Sequence, residues 1–190
     1  LDIQGGISHK YIQSDNKWLS SIMEESVLPK DFLRANHMSL FAKASYYSFD
    51  DFYYPTEGSN FMLTYDFNFL KTGVPDYTPT HIASLSYRTV IKLADEVAII
   101  PDIRLRAVFD RNSIKARNSG SIGEFSLLHK NFIGGDMAGR YFEQQIPFVG
   151  FNNVYIADDI LGCVALDFRV NPFKRMFLSF KNSVFLETDS

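Results

Sequence analysis

Cysteine is almost absent from this sequence, and so are other features that would assign a protein to a common class. Cys163 is the only cysteine among 190 residues, which excludes an intramolecular disulfide and a cysteine-based metal cluster. No run of about 18 apolar residues occurs, so the sequence predicts no transmembrane helix. An excess of basic residues is also lacking. The formal net charge is -3 and the pI is about 5.8, which argues against a nucleic-acid partner.

Motifs of common enzymes are missing too. The nearest approach to the G-x-S-x-G elbow of serine hydrolases is Gly120-Ser121-Ile122-Gly123, whose spacing is wrong. There is neither a P-loop nor an H-E-x-x-H sequence. We interpret the acid pairs Asp50-Asp51 and Asp158-Asp159 as solvated turn residues, with a weak calcium site as the alternative. The four histidines lack metal-ligand spacing; they are His9, His37, His81 and His129. We therefore expect no catalytic residue, no metal and no cofactor in this chain.

What the sequence does contain is a repeated alternation of polar and apolar residues. Such a period of two predicts β-strands with two chemically different faces. Hydrophobic residues make up 46% of the chain and aromatic residues 15%, which is enough for a packed structure. Seven strands are predicted: Ile3–Ile12, Met38–Phe49, Asn60–Leu70, Thr80–Leu93, Val97–Phe109, Leu161–Val170 and Met176–Leu186. An eighth is possible between Tyr141 and Tyr155.

Strand length and loop length together favour a membrane barrel. Several predicted strands have 11 to 14 residues, whereas strands of soluble proteins average roughly five or six and membrane-crossing strands need roughly 9 to 11. The connections are alternately longer and shorter along the chain, which is typical of outer-membrane barrels. A mean hydropathy of -0.10 is compatible with this fold, because only every second side chain faces lipid.

Ionisable residues occur in the middle of the polar strand faces. In a transmembrane barrel they would point into a water-filled lumen, where charge costs little desolvation. A soluble β-sandwich or lipocalin-like binder, which would expose them to solvent, is the alternative. These residues are Lys43, Asp66, Arg88, Arg104, Arg106, Asp167, Arg169 and Lys181.

A glycine-rich, aromatic loop interrupts the alternating segments. It reads F-I-G-G-D-M-A-G-R-Y-F from Phe132 to Phe142, and its glycines permit backbone angles closed to other residues. We predict that the loop folds into the lumen and that Arg140 pairs with Asp66 or Asp167; an arginine on an outside loop is the alternative. The candidate motif residues are Gly134, Gly135, Asp136, Gly139, Arg140 and Tyr141. We expect one domain, residues 1–190, in which the long loop occupies residues 110–160.

Three segments resemble the Omp85 superfamily of outer-membrane barrels. Residues 51–58, D-F-Y-Y-P-T-E-G, are similar to that family's D-x-x-x-x-P-T-R-G hairpin, with Glu57 in place of the arginine. Residues 132–141 are similar to its inserted F-x-L-G-G…R-G-Y loop, with glycine and arginine in reversed order. Residues 166–172 are similar to its L-E-x-R-x-P-L strand. Asn182 or Ser183 lies near the place of an aspartate that meets the loop arginine in the family.

The segment G-R-Y-F-E-Q-Q-I-P-F-V-G resembles a subgroup, the C-terminal barrel of outer-membrane patatin-like phospholipases. The resemblance covers roughly residues 38–187. It implies a bacterial outer-membrane location, contact with outer-membrane lipid, and an attached upstream domain that carries the catalytic Ser-Asp dyad. We expect this chain to be a non-catalytic fragment of a longer protein, completed by further strands or by a second copy. An Omp85-type polypeptide translocation or assembly pore is the alternative.

Overall fold

The computed structural model describes residues 1–13, 34–52, 54–71, 79–110, 131–134, 145–146, 148, 154–157, 159–173 and 176–187. Within these ranges the chain forms eleven strands. No helix there is long and apolar enough to cross a membrane. In chain order the strands are β1 (Asp2–Gln13), β2 (Arg34–Tyr47), β3 (Ser59–Lys71), β4 (Thr80–Thr89), β5 (Ile91–Ala94), β6 (Val97–Asp110), β7 (Asn131–Gly134), β8 (Gln145–Ile146), β9 (Val154–Ala157), β10 (Ile160–Phe173) and β11 (Met176–Glu187).

Eight of these strands form one antiparallel sheet, which we call the wall sheet. Its order is β1-β2-β3-β4-β6-β10-β11, and β5 pairs with β6. Every neighbouring pair along this order is antiparallel. Within the described residues β1 and β11 are the edges of the sheet, so the barrel is not closed by these strands alone. The all-β, antiparallel architecture confirms the fold class predicted from the alternation.

All seven predicted strands are present, and one of them is divided. The segment predicted as Thr80–Leu93 is β4 and β5, separated at Val90. The Val90 N–H donates to the carbonyl of Gly58 at 3.0 Å. At Ile91, β5 resumes the register in which β4 pairs with β6, so the division is a local gap in one segment. The residues between Tyr141 and Tyr155 do not add a strand to the wall sheet. β8 lies there and β9 begins there, and both belong to a second sheet.

The two faces of the wall sheet are opposite in character to those of a soluble protein. Large apolar side chains are exposed on one face, for example Ile7 at 68% and Phe180 at 63%. The other face buries polar side chains together with a few apolar ones, Ile82, Ile100 and Val108. Because burial normally removes apolar surface from water, a face with this many exposed apolar side chains is what a sheet bordered by lipid would show. The buried polar residues of the wall sheet are His37, Ser39, Asn68, Thr80, Asp167 and Arg169.

A small sheet made by the long loop covers part of the polar face. Its order is β8-β7-β9, with β7 parallel to β8 and antiparallel to β9. Ile133 and Ile146 of the small sheet form an apolar cluster with Leu161 and Cys163 of β10, and Phe148 packs edge-on against Phe185 at 5.3 Å. The polar face is therefore the inner face, and the described part of the long loop folds inward as predicted.

Candidate functional site on the inner face

The turn between β2 and β3 is built around two aspartates. Asp50 accepts hydrogen bonds from the Thr56 N–H at 2.8 Å, the Thr56 hydroxyl at 2.6 Å and the Glu57 N–H at 3.1 Å. Asp51 accepts one from the Tyr54 N–H at 2.7 Å. Partial desolvation works against ionisation of Asp50, but the hydrogen bonds from Thr56 and Glu57 outweigh it and lower the pKa of Asp50 to about 2. Both acids thus hold the turn in shape, in agreement with their interpretation as turn residues.

Gly58 ends this turn in a conformation that other residues avoid. Its φ is 99°, and a Cβ atom there would overlap the carbonyl of Ser48. The Gly58 carbonyl accepts hydrogen bonds from the Thr89 hydroxyl at 3.2 Å and from the Val90 N–H at 3.0 Å. Gly58 therefore links the turn to the end of β4.

Arg169 of β10 connects this turn to the opposite part of the wall sheet. Its Nη1 donates to the carbonyl of Pro55 at 2.8 Å, and its guanidinium lies 5.8 Å from the centre of the Phe177 ring. The other ring in this group is Tyr54, which stacks on Phe177 at 5.1 Å with an interplanar angle of 7°. We call these four residues the turn brace. β3 and β10 are three positions apart in the sheet, roughly 14 Å if the sheet were flat, so the turn reaches across the inner face.

Asp167 lies beside the brace and is itself engaged. One carboxylate oxygen accepts a hydrogen bond from the Ser179 hydroxyl, and the other lies 3.4 Å from Nη2 of Arg169. Only 6% of Asp167 and 5% of Arg169 is exposed. A buried charge needs such a partner because desolvation is otherwise costly. Asp167 therefore neutralises Arg169 and helps to hold its guanidinium in place.

A second arginine fastens the long loop to the wall. Arg106 of β6 donates to the side-chain oxygen of Asn131 at 2.8 Å and to the Ser84 hydroxyl at 3.1 Å. Asn131 begins β7 and is fully buried, and its amide donates to the carbonyl of Asp159 at 2.9 Å. This chain of hydrogen bonds fixes where the inward-folded segment enters the inner face.

The sequence-predicted site residues are only partly described. Gly134 ends β7, is buried and has a φ of 101°, which suits glycine. Asp66 is partly buried on β3 and alternates with the outward-facing Tyr65. The remaining motif residues lie outside the described residues: Gly135, Asp136, Gly139, Arg140 and Tyr141. The pairing of Arg140 with Asp66 or Asp167 therefore stays a prediction.

Sequence reasoning did not identify the turn brace. It singled out residues 51–58 and residues 166–172 separately, but the hydrogen bond between Pro55 and Arg169 joins positions 114 residues apart. No local pattern indicates such a pair. Asn131 was missed because a lone asparagine before a loop has no distinguishing signal. In the described part of the chain, no group of three or more His, Cys, Asp or Glu side chains has the arrangement of a metal site.

Comparison with known proteins assigns this architecture to a family. A search of curated protein sequences found no significant match to this chain. The family model of the OMP85 superfamily matches residues 1–188, almost the whole sequence. The match covers both the wall sheet and the inward-folded loop. This chain belongs to the OMP85 superfamily.

Proposed function

We propose that this chain is an outer-membrane barrel domain that anchors or exports an attached domain, and that the attached domain is a patatin-like phospholipase. Superfamily membership supports an outer-membrane β-barrel of the Omp85 type and a bacterial outer-membrane location. The attached lipase is suggested by the residues G-R-Y-F-E-Q-Q-I-P-F-V-G, which are similar to that subgroup. Catalysis would belong to the attached domain, not to this chain.

The inverted polarity of the wall sheet is the observation that carries this proposal. Leu105, Val164 and Phe180 are exposed on the outer face, whereas the inner face buries charged Asp167 and Arg169. A soluble β-sandwich would turn the apolar face inward, so this arrangement speaks against the soluble binder. Lipid tails would cover the outer face, and outer-membrane lipid is the partner that this face implies.

The filled inner face favours an anchor over an open conduit. Within the described residues, the small sheet lies on the inner side of β10 and β11, and the turn brace crosses from Pro55 to Arg169. A large polypeptide would have to displace these elements to pass. We therefore favour anchoring as the function of the assembled barrel. Export of the attached domain would then be a step that takes place during assembly.

A polypeptide translocation or assembly pore is the second candidate, and the inner wall is the observation that favours it. Arginine and lysine side chains occur in mid-strand there, together with aspartates, as expected of a water-filled passage. The two candidates differ in the sequence that precedes Leu1 in the full-length protein. A lipase domain with a Ser-Asp dyad would support the anchor, and a polypeptide-transport domain would support the pore.

The edges of the wall sheet require a covering partner. β1 and β11 pair on one side only among the described strands, and an exposed strand edge within lipid costs several kcal/mol for each unpaired backbone group. We propose that further strands or a second copy of the chain complete the barrel. The mass of the folded species distinguishes one copy from two.

Extraction from membranes tests this function. The chain would be expressed with an export signal, the membranes washed with alkaline carbonate, and the pellet run unboiled and boiled on a gel. We expect retention in the pellet and a heat-dependent change in mobility, and the unboiled band reports the number of copies. Release as a soluble monomer whose mobility is indifferent to heat would overturn the membrane assignment. To test anchoring, the native upstream region would be fused to this chain and the cells fractionated. If the chain is an anchor, the upstream region should be found in the membrane fraction.

A further inference from the structure

A cavity of about 50 Å³ on the inner face combines several charged side chains from β4, β6, β10 and β11. It lies between the turn brace and the small sheet. Two of its lining residues show this: Asp167, which pairs with Arg169 of the turn brace, and Cys163, which belongs to the apolar cluster under the small sheet. The volume is sufficient for a small polar group together with water. The lining residues that carry charge or a hydroxyl are Arg88, Asp102, Arg104, Asp167, Lys181 and Ser183.

Both acidic residues of this cavity are already neutralised. Asp102 accepts two hydrogen bonds from Arg104, at 3.0 Å from Nε and 2.8 Å from Nη2, which is a bidentate ion pair. Asp167 is occupied by Arg169 and by the Ser179 hydroxyl. Among the described residues that line it, the cavity therefore has no acid left to balance additional cations.

Two cations of the cavity have no such partner. Among the described residues, neither Arg88 nor Lys181 forms an ion pair. Lys181 lies opposite Asp167 in the β10–β11 register, but Asp167 makes its ion pair with Arg169 instead. Arg88 has its guanidinium 5.9 Å from the centre of the Phe49 ring, a contact that leaves the edge donors of the guanidinium available. Two unneutralised positive charges thus face one cavity.

We propose that this cavity binds an oxyanion, a carboxylate or phosphate group, between Arg88 and Lys181. The planar guanidinium of Arg88 can donate two hydrogen bonds to such a group, the Lys181 ammonium supplies a second charge, and the Ser183 hydroxyl supplies a neutral donor. With two charge-assisted contacts in a water-accessible place, we expect a dissociation constant on the order of 1 mM for phosphate. The inference goes beyond the proposed function, because it concerns a ligand site in the wall whatever domain is attached.

The reaction rates of a thiol placed in the cavity with charged reagents report the electrostatic potential of the cavity. In the full-length chain folded in nonionic detergent, Cys163→Ala removes the native thiol and Ala165→Cys introduces one that lines the cavity. Anionic and cationic methanethiosulfonate reagents of similar size are then compared. Ser45→Cys, on the inner face of β2 away from the cavity, is the matched control thiol. We expect the anionic-to-cationic rate ratio at residue 165 to exceed that at residue 45 by roughly tenfold.

Charge removal and competition identify the ligand site. Arg88→Gln with Lys181→Gln should lower the ratio at residue 165 to that at residue 45, and each single substitution should give an intermediate ratio. Lys43→Gln removes an inner-wall charge outside the cavity and should leave the anionic-to-cationic rate ratio at residue 165 unchanged. Inorganic phosphate at about 10 mM should slow the anionic reagent, whereas chloride at equal ionic strength should not. A glutamate-rich peptide and free glutamate would also be compared as inhibitors of the anionic reagent. If the peptide protects the thiol at residue 165 at a lower total carboxylate concentration than free glutamate does, the bound anion is assigned to a polypeptide.

Three results would overturn the proposal: equal ratios at residues 165 and 45, a ratio unaffected by the single and double substitutions, or no slowing by phosphate and peptide. Because reactions are followed in detergent on folded protein, they do not depend on membrane anchoring. A negative result here would leave the extraction experiment unaffected, and the reverse also holds.

Discussion

Gly58 is a residue whose identity the fold determines strictly. Its φ is 99°, and its carbonyl binds both Thr89 and Val90. A side chain at this position has to overlap the backbone of Ser48, which belongs to the preceding arm of the same turn. One residue therefore couples the shape of the β2–β3 turn to the end of β4.

We predict that Gly58→Ala destabilises the protein by about 1–3 kcal/mol or more, because left-handed strain adds to the overlap with Ser48. Urea unfolding from lipid vesicles would measure the change. Gly5→Ala is the control, since its added Cβ would lie at an ordinary 3.5 Å from the carbonyl of Phe41, and we expect a change of less than about 1 kcal/mol. Equal effects of both substitutions would contradict the role assigned to Gly58.

The Asp50 carboxylate predicts a pH dependence of the turn. Its pKa in the folded protein is about 2, below the ordinary value of 3.8. A depressed pKa means that the stabilisation is complete above pH of about 4 and is lost as the pH falls toward 2. The protection factors of the Thr56 and Glu57 amides, which are corrected for the intrinsic pH dependence of exchange, should therefore fall across this window. Asp50→Asn should remove the dependence, and Asp95→Asn, at an exposed position in another turn, should preserve it.

At the scale of residues, the sequence predicted roles better than partners. The turn acids Asp50 and Asp51 were interpreted correctly because aspartate before Pro and Gly is a local turn signal. The role of Arg169 was not predicted, because its partner Pro55 is remote in the chain. Local chemistry is readable from a sequence, whereas long-range contacts depend on how the whole sheet curls.

At the scale of elements, the strands were predictable because their two faces meet different surroundings. The outer face carries exposed apolar side chains and the inner face carries charged and polar ones, as expected where one face meets lipid, so the period-two pattern is strong in β3 and β10. The short strand β7 was not predicted, and for β8 and β9 the sequence indicated only a possible eighth strand between Tyr141 and Tyr155. The three strands have four, two and four residues, which is too short for a periodic signal. Contacts with β6 and β10 hold β7 and β8, and β9 pairs with β7.

The turn brace is the contact between elements that is most open to test. We predict that Tyr54→Ala and Phe177→Ala are coupled by about 0.5–1.5 kcal/mol in a double-mutant cycle, as stacked aromatic rings are. Urea unfolding in lipid vesicles would provide the four stabilities. The control cycle pairs Phe177→Ala with Tyr47→Ala, whose ring contacts Phe49 instead, and its coupling should be close to zero. A coupling near zero in the first cycle would show that the stacking does not hold the turn.

At the scale of the whole molecule, the outer face defines how the protein relates to its surroundings. Exposed apolar side chains extend from Ile7 on β1 to Val184 on β11, across every strand between them in the wall sheet. Such a continuous surface would cause aggregation in water and is suited to a bilayer. The depth of a residue along its strand should therefore determine the cost of adding charge.

We predict that Leu105→Arg, in the middle of β6, costs about 2–4 kcal/mol of folding free energy in lipid vesicles. Leu93→Arg, next to the β5–β6 turn, should cost only about 0–1 kcal/mol, because it lies near the interface. Both leucines are exposed, so in a soluble protein both substitutions should be within about 0.5 kcal/mol of neutral. Equal, small costs would contradict insertion of the outer face into lipid.

The two sides of the turn brace are far apart along the chain, and this separation affects the order in which the contacts of the protein form during folding. β2 and β3 are neighbours in sequence and can pair early, but Arg169 follows Pro55 by 114 residues. Contacts between remote positions have to wait for the loop between them to close, and proteins rich in such contacts fold slowly. We therefore expect the turn to dock only after β10 and β11, which carry its partners Arg169 and Phe177, are in place. Docking of the turn is then a late event that reports completion of this part of the wall.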